Sequence, residues 1–419
     1  MKLSHLSHTL IGSEIVKLGN QIKERIRLGE HIYNFTIGDF DSAVFPIPDA
    51  LRQRIEAAYR DGFTTYPAAE GILELRQSVA QFLRRREGLD YSPAEIQIAS
   101  GGRPLIYATF RALVDKGDRV VYAVPSWNNN HYVHFTDAVH VVVEARPENR
   151  FMPTAGELAP HLGGATLLCL CTPQNPTGTM FSRDELLRIC ELVRDENRRR
   201  TPEEKPLFLL FDQMYWTLTY GGNTHHNPVE LCPELRPYTV FIDGISKAFA
   251  ATGVRVGWAV GPENIIARIK AILSHVGAWA PMAEQKATAA FLQDREAVDS
   301  YLAPFKAALQ FRLEQIAAGF NVLRAAGHPV DVIAPQGAIY LTVQLNLAGR
   351  RTRDGKLLAT QADVTQYLLE AAQLAIVPFS AFGAGPDNPW YRLSVGTCRE
   401  EDIPAFLGKL RRALEELEG

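Results

Sequence analysis

TLLCLCTPQNPTG, residues 166–178, begins with a run that has no polar face and then stops at a Pro and Asn cluster. A strand that is apolar on both sides needs helices on both sides. LFLLF at 207–211 reads the same way, and ELLRICELVRDENRRR between the two has helical spacing. Working outward, similar short β-branched or apolar runs lie at 96–99, 119–124, 139–144, 239–243 and 255–260. With 166–172 and 207–211 they make seven strands alternating with helix-length segments. The spacing predicts an α/β core with a mostly parallel sheet covered on both faces.

The flanks have a different texture. Residues 12–30 read as an amphipathic helix followed by a short extended piece, HIYNFTIGD. Beyond about 300 the pattern gives long helices, one strand pair (AIYLTVQL and YRLSVG) and a closing charged helix. A smaller α+β domain built from both chain ends follows. The expected division is 1–48 for its N-terminal segment, 49–300 for the large domain and 301–419 for its C-terminal part.

Composition excludes several classes of function. Lys+Arg 44 against Asp+Glu 47 gives 44 − 47 = −3, without a long block of one sign, which argues against a nucleic-acid or anionic-membrane surface. No stretch is long and apolar enough for a membrane span, and the first residues lack a secretory pattern. Five Cys without C-x-x-C spacing predict no metal site and no disulfide framework, and point to a reducing cytoplasm. Cys169 and Cys171, two apart on a strand, read as reduced core thiols.

The candidates for chemistry cluster at strand ends, where open α/β sheets bind ligands. Ser100-Gly101-Gly102-Arg103-Pro104 follows one strand and opens a helical pattern. Free N–H groups at a helix start suit an anion, and Pro104 suits the first helical position; the alternative is a plain Gly turn. Asp212 ends LFLLF, where a carboxylate can hold a cationic nitrogen or merely cap the next helix. Lys247, one of eleven Lys, follows a core strand among apolar neighbours. Desolvated near Arg255, its amine would attack a carbonyl as the free base, although most lone lysines are solvated surface residues. Asn175 in NPTG offers an amide or a simple turn. Arg392 sits in the apolar strand WYRLSVG, where a buried guanidinium calls for an anion, either a substrate carboxylate or an internal ion pair. His225-His226 in GGNTHHN reads as a polar loop.

In order along the chain, SGGRP, PSWNNN, NPTG, FDQMY, SKAFAATGVRVG and YRLSVG resemble the fold-type I pyridoxal-phosphate aminotransferases, the class I group that contains aspartate and aromatic aminotransferases. The resemblance runs from about Phe35 to Arg399. It implies a seven-stranded large domain, a small domain from both termini, and pyridoxal 5′-phosphate as cofactor. It also implies roles for matching positions. Lys247 would carry the cofactor and move the proton, and Asp212 would keep the pyridinium protonated. Asn175 and Tyr215 would bond the ring oxygen, and Trp127 would stack on the ring. Gly101, Gly102 and Arg103, with Ser246 and Arg255, would bind the phosphate. Tyr66, in TTYPAAEG, would reach the phosphate of a neighbouring subunit, which implies a homodimer. Gly38 and Arg392 would receive the substrate α-carboxylate.

The sequence departs from that pattern at Ile37-Gly38-Asp39-Phe40-Asp41, where G-E-P-D-F is usual, at Val254, and at Gly244, where some members have Ser. The first lies where substrate is recognised. The expected activity is transfer of an amino group from an L-amino acid, with aspartate leading, to a 2-oxo acid such as 2-oxoglutarate. A β-lyase, an aromatic or broad-range aminotransferase, and a cofactor-binding regulatory domain are the alternatives.

Overall fold

A computed structural model describes residues 2–10, 12 and 14–418. Its strands in chain order are β1 (Tyr33–Asn34), β2 (Ile96–Ala99), β3 (Arg119–Val124), β4 (Val139–Glu144), β5 (Ala165–Cys171), β6 (Phe208–Asp212), β7 (Thr239–Gly244), β8 (Gly257–Val260), β9 (Val330–Ile333), β10 (Tyr340–Leu345), β11 (Leu374–Ala375), β12 (Val377–Pro378) and β13 (Trp390–Ser394). Seven of them form one sheet in the order β2-β8-β7-β6-β5-β3-β4. The block from β7 to β4 is parallel, while β8 runs antiparallel to both β7 and β2.

Alternation along each strand sorts the core into two layers. Val120, Leu167, Leu210 and Ile242 pack under helices Gly102–Leu113 and Glu263–Val276. Val121, Leu168, Leu209 and Phe241 pack on the opposite face with helices Leu73–Glu87 and Arg183–Arg199. This double cover is what the unbroken apolar runs require.

All seven expected strands are present, with ends shifted by at most two residues. The shift at β8 matters most: Arg255 is not part of the strand but precedes it with φ +61. Another difference is Pro104, which stands third in the helix Gly102–Leu113 rather than first.

The expected strand pair is the centre of a four-stranded antiparallel sheet, β12-β13-β10-β9. It packs with helices Arg295–Ala325, Gln361–Ala371 and Asp402–Glu415. From the other end of the chain, β1 pairs in parallel with β11. Helix Arg295–Ala325 runs unbroken across the expected division at 300/301. The N-terminal amphipathic helix spans Glu14–Arg27. No described helix is long and apolar enough to cross a membrane.

Candidate active site

The carboxyl ends of the parallel strands meet the four-stranded sheet around a cavity of about 500 Å³. β5 leads to Asn175, β6 ends on Asp212, and β7 leads through Gly244 into the short helix Ile245–Ala248 that bears Lys247. β13 brings Arg392 from the other side. Gly38, Gly102, Arg103, Trp127, Tyr215, Ser246 and Arg255 also line the cavity, so most of the expected set converges.

Gly101 is the exception that shapes the wall without lining it. Its φ is +88, and a Cβ there would lie 2.1 Å from Nη2 of Arg255. The backbone geometry thus requires glycine, and a side chain here would also displace the Arg255 guanidinium. Arg255 reaches back from its left-handed residue to donate to the carbonyls of Thr252 and Ser100, both at 2.6 Å. The Arg103 guanidinium lies 4.7 Å from the Trp127 ring centroid, a cation–π contact.

Lys247 Nζ donates to the Gly38 carbonyl at 2.5 Å. Burial lowers its pKa from the ordinary 10.5 to about 8; Asp39 opposes this, and Arg392, Arg103 and Arg255 add to the lowering. The folded chain therefore binds this proton less well than the unfolded chain, so the group's penalty is full below about pH 8 and disappears as pH rises to about 10.5. Lys247→Met should stabilise the ligand-free protein at pH 7 by about 3 kcal/mol. The gain should fade towards pH 10.5, measured by denaturant unfolding across pH; a gain constant with pH would contradict the burial argument.

Asp212 is half-buried in the cavity wall and its pKa is raised to about 6 by desolvation, against which the Met214 N–H donates at 3.0 Å. That bond belongs to a tight turn, so the helix-cap alternative does not occur. The Tyr215 hydroxyl meets that of Tyr340 at 2.5 Å. Tyr340, at the start of an apolar strand, was not singled out by the sequence, because nothing local distinguishes it.

Arg392 Nη1 donates to Asn175 Oδ1 at 3.0 Å and Nη2 to the Thr36 carbonyl at 2.7 Å. Its Nε is buried without a partner, and it makes no ion pair among the described residues. An internal ion pair is therefore not its role here; an unfilled donor faces inward. Asp39 enters the site as a further carboxylate, accepting from Thr252 Oγ1 and from the Phe40 N–H.

Tyr66, expected to serve a neighbouring subunit, is 85% exposed, lies against Trp279 and does not line the cavity of its own chain. Cys169 and Cys171, expected as core thiols, both line the cavity, Cys171 beside Asp212, its paired residue on β6, and burial pushes both thiols up. His225 lies in a loop as expected, but its side chain is buried: it sits against Phe211, Trp216 and Glu87. All five cysteines are free, and no group of metal-ligating side chains occurs among the described residues.

These residues fit pyridoxal phosphate. Ser246 Oγ is buried with no partner at the cavity edge, the helix start at Gly102 offers free N–H groups, and a desolvated amine shares the cavity with a desolvated carboxyl group.

A profile for aminotransferase class I and II matches residues 30–410. An aspartate aminotransferase of Geobacillus stearothermophilus is 30% identical over 425 residues, covering 99% of each chain. One from Rhizobium meliloti (strain 1021) is 29% identical over 408 residues, 97% of this chain and 94% of that protein. The crystal structure of the Rhizobium meliloti aspartate aminotransferase matches with a TM-score of 0.90 at 27% identity, covering 100% of both chains. Agreement of that extent, over nearly the whole chain, decides membership: this chain is a pyridoxal-phosphate-dependent aminotransferase of class I and II, with the fold-type I architecture.

Proposed function

We propose that the enzyme moves the amino group of L-aspartate to a 2-oxo acid such as 2-oxoglutarate in a ping-pong reaction. The observation that carries this is the charge of the cavity. Arg103, Arg255 and Arg392 line it without an ion pair among the described residues, and their number matches one cofactor phosphate and the two carboxylates of a dicarboxylic substrate.

In this reading Arg255, Ser246 and the N–H groups of Gly102 and Arg103 hold the phosphate, and Gly101, whose N–H donates to the Ala99 carbonyl at 2.7 Å, shapes the turn that presents them. Gly38 and Arg392 hold the α-carboxylate, and the Arg103 side chain meets the distal one. Asn175 and Tyr215 bond the ring oxygen, and Trp127 covers the ring. Asp212 keeps a proton on the ring nitrogen; a cationic partner stabilises its carboxylate and brings its raised pKa back down. The cofactor supplies an electron sink for the carbanion at the substrate Cα. Lys247 is the attachment point and, once free, the base that takes the Cα proton, for which a pKa near 8 is well placed.

We further assign the division 1–48, 49–300 and 301–419, a cytoplasmic location in keeping with the free thiols, and a homodimer in which Tyr66 serves the other subunit's site. The exposure of Tyr66 outside its own cavity supports that assignment.

The deciding experiment is the visible spectrum of the holoenzyme with single amino acids. L-aspartate should bleach the yellow colour and 2-oxoglutarate restore it. Bleaching only by aromatic donors would remove aspartate, and release of pyruvate and ammonia without an acceptor would place the enzyme among the lyases. Arg255→Ala removes a charged hydrogen bond worth about 1.5–3 kcal/mol. It should weaken cofactor binding roughly ten- to a hundredfold or slightly more, and an unchanged titration would remove the phosphate role.

A further inference from the structure

The turn that follows β6 has two sides. Asp212, Met214 and Tyr215 face the cavity, whereas Gln213 and Trp216 lie behind the sheet on the Phe211 and Phe241 side, both buried. Each of the two backs onto a buried carboxyl group. Gln213 Nε2 donates to the two oxygens of Glu87 at 3.1 and 2.9 Å, at the end of helix Leu73–Glu87. Trp216 Nε1 donates to Asp243 Oδ2 at 2.8 Å.

Asp243 has a second tie. Its Oδ1 accepts from the Gly244 N–H at 2.6 Å, and Gly244 leads directly into the helix of Lys247. A Cβ on Gly244 would stand 2.8 Å from Gly257 Cα and 2.9 Å from the Val256 carbonyl, so the chain enters that helix pressed against β8. The entry point has no slack, and Asp243 fixes its N–H.

The cluster is costly for a protein interior. Burial pushes Glu87 well up and Asp243 to about 8, and pushes His225 down to about 3. The charged and titratable groups facing Asp243 are Glu87 and Asp212; those facing Glu87 are Asp243, Glu230 and His225. Apolar side chains would fill this space at less cost, so stability alone does not account for the carboxyl groups.

We propose that Asp243 is a positioning residue for the amino-transfer reaction. Through Trp216 it holds the Asp212–Tyr215 turn, and through the Gly244 N–H it holds the Lys247 helix, so one buried carboxyl group sets the placement of the lysine relative to the two groups it works with. Glu87 and Gln213 are a second tie on the same turn. The inference rests on the roles proposed above for Lys247, Asp212 and Tyr215.

The test uses holoenzymes of Trp216→Phe, Asp243→Asn and the double variant. An Asn at 243 has one acceptor and one donor end and cannot accept from both Trp216 and Gly244. Removing the indole N–H lifts that conflict. In each single variant the pH midpoint of the visible lysine–cofactor band should move by about half a unit or more, because the Lys247 nitrogen would shift relative to Asp39, Arg392, Arg103 and Arg255, the charges that act on it. Turnover should fall about tenfold with KM for aspartate changed less than about twofold, and the double variant should be no worse than Asp243→Asn. Midpoints within about 0.2 units of wild type, with only melting temperature lowered, would reduce Asp243 to a structural group. Should Asp243→Asn not fold, Trp216→Phe decides by the same midpoint. A wild-type holoenzyme with no visible band would instead overturn the Lys247 reading itself, a separate and recognisable failure.

Discussion

Lys247→Ala is expected to lose the yellow colour and to lower turnover by about 10⁴-fold or more. The geometry leaves no substitute. Lys247 Nζ is the amine that lines the cavity, held by the Gly38 carbonyl at 2.5 Å and kept near neutrality by burial and three guanidinium groups. The other nitrogen bases there are arginines, which stay protonated and cannot take a proton from the substrate Cα. Pyridoxal phosphate should still bind, because the phosphate contacts and Asp212 are intact, but by equilibrium rather than by attachment. The comparison is single-turnover kinetics and dialysis of the cofactor from both proteins. Retained turnover within about tenfold of wild type would exclude Lys247 as the base.

Arg392→Ala is expected to lower kcat/KM for aspartate by about 30- to 5,000-fold, corresponding to about 2–5 kcal/mol for truncating one side of a buried charged pair. The loss has two sources. The α-carboxylate would lose the planar fork, and Asn175 Oδ1 and the Thr36 carbonyl would lose their donor. Arg392→Lys separates them, since a point charge restores attraction without the two parallel bonds. It should recover only part of the loss. An amine lacking the α-carboxylate should react at similar low rates with both enzymes, measured by the rate of bleaching; equal losses for that amine and aspartate would mean that Arg392 acts through the fold rather than on the carboxylate.

Much of the fold is legible along the chain because its strands are buried on both faces. Runs such as LLCLC and LFLLF leave no amphipathic choice, and the seven strands appear within two residues of their expected places. The breaks in those runs mark Asp212, Asn175 and Lys247, since a polar group can follow a buried strand only where the sheet opens. His225 shows the opposite case: a residue within GGNTHHN is buried by Phe211 and Trp216, which come from β6 and the turn after it.

The sequence by itself determined which residues end strands, which helix begins on Gly101-Gly102, and which guanidinium lies inside an apolar strand, because each of these depends on neighbours a few positions away. Only the tertiary structure decided that Tyr340 meets Tyr215, that the Gly38 carbonyl holds Lys247, that Arg392 has no internal anion, and that Asp243 ties the Asp212 turn to the lysine helix. The first two of those contacts join residues more than a hundred positions apart, and Asp243 reaches Trp216 only because β6 and β7 lie side by side. Their meeting is set by how the crossovers order the strands and by how the two sheets close on the cavity, and no local pattern encodes that.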